Sequence, residues 1–191
     1  ETLTTRWLNI TRHAKLVAGE MVGNVNQQNK KRFYKALQNA TGVSLNGIIS
    51  EEGLQPLLTS SISDNVSLIK SIPDEYFKKL NTIVNQGTMR GKSSGGIIKD
   101  ILALGKSTKK RAKLIARDQT QKVNAAITQG RQENLGVTEY IWRTSSDERV
   151  RDSHKSKNGK RFKWSDPPKD TGHPGQDIQC RCIAEPVIQL D

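Results

Sequence analysis

Long apolar runs are missing from this sequence. Hydrophobic residues fill 34% of its 191 positions and the mean hydropathy is −0.66, so nothing approaches the roughly 18 to 20 apolar residues that cross a bilayer. No membrane span is expected. Cysteine is scarce as well. Cys180 and Cys182 are the two present; they cannot build the disulfide framework of a small secreted protein, and with one residue between them a mutual bond would be strained. A reducing compartment, or one without disulfide selection, fits. An initiator Met, a basic leader and an apolar signal core are also lacking, so the chain, opening at Glu1, reads as a processed or trimmed piece. No repeat is apparent, which argues against a solenoid. Acid is the last deficit: 19 Asp and Glu face 31 Lys and Arg, a formal charge of +12. That balance favours a polyanion or an acidic partner, with a solvated basic surface as the alternative reading.

What is present falls into three segments and an α+β fold class: a mostly α-helical N-terminal two-thirds and a small C-terminal β-rich, turn-rich module. Residues 1–86 form the first segment. Trp7, Ile10, Leu16 and Val17 recur at helical spacing and predict one helix, and Phe33, Tyr34, Leu37 and Ala40 predict another that stops at Gly42. A polar-to-helical transition is expected over Ser50 to Leu58, followed by an apolar set of Ile62, Val66, Leu68 and Ile69. Pro73-Asp74-Glu75 reads as a helix start, with acids in the first turn where the dipole favours them and Tyr76, Phe77, Leu80, Ile83 and Val84 as its buried face.

Residues 87–136 are a Gly-rich loop and a long basic helix. The run from Gly87 to Gly96 invites a phosphate-loop reading, but Gln86 stands where the first Gly is needed and the preceding segment is helical. A loop with Ser93 or Ser94 at a helix N-terminus is the better reading. Ile97, Ile98, Ile101, Leu102 and Leu104 predict a short helix ended by Gly105, with Ser107 and Thr108 capping the next. From Lys109 to Asn134, Ala112, Ile115, Ala116, Val123, Ala126 and Ile127 lie on one stripe, with Gly136 as the stop. Lys106, Lys109, Lys110, Arg111, Lys113, Arg117 and Lys122 face one acid, Asp118. Cations crowding a helix N-terminus oppose its dipole. A phosphate backbone would relieve the repulsion, which makes these seven the candidate nucleic-acid contacts, against a plain solvated face.

Residues 137–191 form the β-rich module. Val137 to Thr144 reads as a strand, Phe162 and Trp164 alternate as strand residues do, and Pro186 places a last strand at an edge. His154, His173, Cys180 and Cys182 have the number and type of ligands that tetrahedral zinc takes. The Cys-x-Cys spacing works against this, because in a strand the two side chains share a face about 7 Å apart. The alternative is two small buried thiols beside a hydrogen-bonded His154. No catalytic residue is assigned, since neither a Cys-His nucleophile helped by Arg181 nor a nuclease with His154 as base and Asp147 or Asp152 on a metal has a specific spacing.

The run Arg111–Gln119, Gly136-Val137, Trp142–Arg151, His154, Asn158-Gly159, Pro174-Gly175 and Cys180-Arg181-Cys182 resembles the Mu F-like phage minor head proteins, the head morphogenesis family, over about residues 87 to 187. The resemblance implies a minor component of a tailed-phage head, associated with the portal and with other head proteins, in several copies, and in contact with packaged double-stranded DNA. Its place would be the virion, with the host cytoplasm during assembly. Many relatives carry a Cys pair where this chain has Arg151 and His154, which implies a Cys-rich metal site that here would need His173. Residues 1–86 match only in being helical. The alternative functions are a metal-dependent nuclease or toxin-like effector acting on DNA, and a plain nucleic-acid-binding helical protein.

Overall fold

The structure, a computed structural model, describes residues 3–42 and 52–188. The Ser50-Glu51 part of the expected transition and the side chain of Trp7 lie outside the described residues. Helix α1 (Leu3–Thr41), α2 (Gln55–Met89) and α3 (Ser94–Asn134) are followed by β1 (Glu139–Arg143), the one-turn α4 (Asp152–Lys155), β2 (Arg161–Lys163) and β3 (Ile183–Pro186). The α+β reading is correct. None of these helices is long and apolar enough to cross a membrane.

Three expected helix breaks are not breaks. Between Val17 and Phe33 no proline intervenes, and Ala14, Ala18, Val22, Asn29, Phe33 and Leu37 repeat at four and seven residues as one buried stripe along α1. Pro73 lies inside α2 instead of starting a helix. Its fixed φ is helical, so it forfeits one backbone hydrogen bond, which the turns on either side tolerate. Phe77 and Val84, expected inside, are exposed. Gly105 does not end a helix either: a mid-helix glycine costs about 1 kcal/mol, and the Thr108 hydroxyl donates back to the Leu104 carbonyl at 3.0 Å instead of capping. The other signals hold. Ser93 Oγ accepts the Gly96 N–H at 3.2 Å at the start of α3, and Gly136, at φ +75°, follows its end.

Two compact units are assembled from separate stretches: Glu1–Ala18 with Ile62–Arg117, and Gly19–Ser61 with Asp118–Asp191. The first unit is helical among its described residues. Glu75 of α2 forms an ion pair with Arg111 of α3, and Lys92 forms one with Asp100.

The second unit holds the sheet. β1 is central, antiparallel to β2 and to β3, with Tyr140 opposite Phe162 and Trp142 opposite Ala184. β3 is an edge strand, as Pro186 requires. Tyr140, Trp142, Trp164, Cys180, Cys182 and Ala184 make the core behind the sheet. The end of α3 docks there through buried Gln132, which donates to the Ala184 carbonyl at 2.9 Å and accepts from Trp164 Nε1 at 3.1 Å. Arg131, 2% exposed, ties α3 to the end of α1 and the segment before α2. It donates to the side chains of Asn26 and Asn29 and pairs with Glu52 at 2.7 Å. Those bonds and the Tyr34 hydroxyl hold Glu52 below the usual carboxylate range despite its burial, which pulls the other way.

Candidate metal centre

One-turn helix α4 presents His154 inward, stacked edge-on at 5.4 Å against Trp142 of β1. The turn has no side-chain cap. Lys157 secures it, donating to the Ser153 carbonyl at 2.8 Å and to Asp170 Oδ2 at 2.6 Å. His154 is 2% exposed. Its Nδ1 lies 3.4 Å from Cys180 Sγ and 3.4 Å from Cys182 Sγ, and its Nε2 lies 2.9 Å from Asp177 Oδ2.

The two cysteines sit in the extended segment that leads into β3. Cys180 and Cys182 point inward and Arg181 outward, so the alternation read from the sequence is right, but the separation is not. One ligand atom from each of His154, Cys180 and Cys182 lies within 4.8 Å of the other two. The closer approach comes from a turn with no glycine to signal it. Gln179 takes φ +55°, Cys180 N–H donates to the Asp177 carbonyl at 3.1 Å, and Gln179 N–H donates to Asp118 Oδ1 at 2.6 Å. Asp118, the one acid in the basic part of α3, thus holds the turn, and it also pairs with Lys122 at 2.9 Å. On the outer side Arg181 makes a two-pronged contact with Asp147, 2.6 Å at each oxygen. Arg181 and the Arg149 N–H keep that carboxyl below its usual range.

Electrostatically the two thiols behave as a pair. The thiol of Cys182 donates to the sulfur of Cys180, and the Gly175 N–H reaches the same sulfur at 3.3 Å, so Cys180 ionises far more readily than an ordinary thiol. Its charge, with burial, pushes Cys182 up. The first proton leaves easily and the second is held.

His173 is not in this cluster. Its Nε2 lies 3.1 Å from the Trp164 carbonyl, which can only accept, so Nε2 carries the proton and Nδ1 accepts from the Tyr140 hydroxyl at 2.8 Å. Both nitrogens are committed, and burial holds the ring neutral, below its usual pKa. Asp147 pairs with Arg181 and the almost fully exposed Asp152 with Lys155. Neither is gathered with His154. Sequence reasoning missed Asp177, Trp142 and Gly175 as parts of the site; only Asp177, three residues before Cys180, carried a chemical signal.

Of the seven cations singled out on α3, Lys106, Lys109, Lys110, Lys113 and Arg117 are exposed. Arg111 is engaged with Glu75 and Lys122 with Asp118.

Residues 78–185 match the family model described as Phage Mu protein F like protein. A protein of Haemophilus influenzae described as an uncharacterized protein is 40% identical over 179 residues, which are 93% of this chain and 40% of that one. The chain therefore spans about two-fifths of the length of that relative. No solved structure matches.

Proposed function

The chain belongs to the Phage Mu protein F like family, a phage head morphogenesis family, and from that premise we propose a minor structural protein of a tailed-phage head, seated at the portal in several copies and touching packaged double-stranded DNA. That it is a phage head-related protein follows from the family. The portal seat, the other head proteins as partners and the DNA contact are the proposal.

One observation carries the DNA contact. The unit of Glu1–Ala18 and Ile62–Arg117 holds 15 of the 31 Lys and Arg but 5 of the 19 Asp and Glu. Nearly all of the net charge is thus carried by helices. At about 100° per residue, Lys106, Lys109, Lys110, Lys113 and Arg117 fall within an arc of about 100° and a length of about 17 Å. A duplex presents one phosphate charge per roughly 1.7 Å of axis, so such a stripe matches several phosphates and reads no base. Sequence-independent contact suits a protein that meets whatever DNA is packaged.

The test is the salt dependence of duplex binding. Each phosphate neutralised contributes about −0.9 to the slope of log affinity against log salt. Changing the five exposed cations to Gln should make the slope shallower by up to about 4.5, whereas Arg111→Gln and Lys122→Gln, which start from ion pairs, should each move it little. Equal slopes for the wild type and the five-fold variant would remove the DNA contact from the proposal.

A further inference from the structure

We propose that His154, Cys180 and Cys182 hold one zinc ion through three protein ligands, with the fourth position taken by water or a small anion. The distances argue first. Zinc bound to sulfur at about 2.3 Å and nitrogen at about 2.0–2.1 Å in a tetrahedron sets N and S about 3.6 Å apart. Both Nδ1–Sγ distances are 3.4 Å. A shared cation faces all three atoms at once.

The surroundings agree with the ligands. With Nδ1 on a metal, the proton of His154 sits on Nε2 and is donated to Asp177 Oδ2 at 2.9 Å, the carboxylate–histidine arrangement that fixes a metal-binding imidazole. The Gly175 N–H already points at Cys180 Sγ, as backbone donors do toward metal-bound thiolates. Trp142 supplies the orphaned donor: it is 0% exposed, and its Nε1 has no hydrogen-bond partner of normal geometry. Trp142 and Cys182 belong to the same buried core behind the sheet. A metal-bound thiolate there is a stronger acceptor than a thiol and would satisfy it. Two sulfurs and an imidazole are a set that selects zinc over hard cations.

Among the described residues no fourth His, Cys, Asp or Glu atom lies with the three. His173 is committed to Tyr140 and Trp164, and Asp177 is turned to Nε2 and, at 3.5 Å, to Arg151. Among the described residues the fourth position is therefore left to water or a small anion. Bound this way, the ion joins α4 to the segment entering β3 and so cross-links a module with a small core.

Elemental analysis of the full-length protein, purified without chelator, should find about one zinc per chain. Cobalt in its place should give thiolate-to-cobalt charge-transfer absorption and the strong visible bands of tetrahedral cobalt. Cys182→Ser and His154→Ala should lose the metal about tenfold or more, while His173→Gln, checked as folded by circular dichroism, should keep it. The cobalt spectrum is read on the wild type, so it stands even where a variant fails to fold. A wild type with no bound zinc and no charge-transfer band would overturn the site, and a folded His173→Gln without metal would overturn the three-ligand assignment.

Discussion

Replacing Gly175 by alanine should loosen the turn that holds the cysteine-bearing segment against α3. A Cβ at this position would come 2.4 Å from Ala125 Cβ, where carbon atoms in contact sit about 3.5–4.0 Å apart. The backbone also has φ +88°, which a side chain disfavours. The strain costs about 1–2 kcal/mol and the forced repacking about 1–3 kcal/mol. Together these give a loss of about 2–5 kcal/mol, or a midpoint lowered by roughly 4 to 20 °C in a chain of this size. Gly159→Ala separates the two contributions, since φ is +77° there and nothing lies within 4 Å of the added carbon. It should show the strain alone. Ala125→Gly combined with Gly175→Ala removes the collision, and the double-mutant cycle should recover about 1–3 kcal/mol. Urea unfolding followed by fluorescence suits the assay, because Trp142 and Trp164 belong to the same unit as Gly175. The reasoning fails if Gly175→Ala is no worse than Gly159→Ala, or if the cycle shows no coupling.

Arg131→Met should cost about 3–5 kcal/mol, because Glu52, Asn26 and Asn29 lose a buried partner together; a loss under about 1 kcal/mol in urea would show that the network adds little. His173 sets a pH dependence. Its folded pKa is depressed by burial, while the unfolded ring ionises near about 6.5. The unfolded chain therefore takes up the extra proton, and stability should fall as pH drops below about 6.5. His173→Gln can still accept from Tyr140 and donate to Trp164, so thermal midpoints between about pH 5 and 7.5 should vary less in the variant. An unchanged pH profile would refute that assignment.

The fold was legible where chemistry is local. Gly42 and Gly136 stop their helices, Ser93 starts one, and Pro186 marks an edge strand because its nitrogen cannot join a ladder. Helix continuity was not, since Gly105 and Pro73 are breakers by propensity, and only the packed stripe on either side shows that they are overridden. The site was half legible. His154, Cys180 and Cys182 are the right residue types, but what gathers them is an αL turn at Gln179 held by Asp118, sixty-one positions away in sequence. A contact of that range has no local signature. His173 looked equivalent to His154 as a letter; its partners, Tyr140 and Trp164, are what set it apart.

Quantitative mass spectrometry of density-purified phage or prophage particles from the source of this chain tests the central claim most directly. The account predicts this protein in the particles at a few to about a dozen copies each, as a ring at one vertex would give. Its absence from both mature particles and empty heads would contradict a structural role in the head.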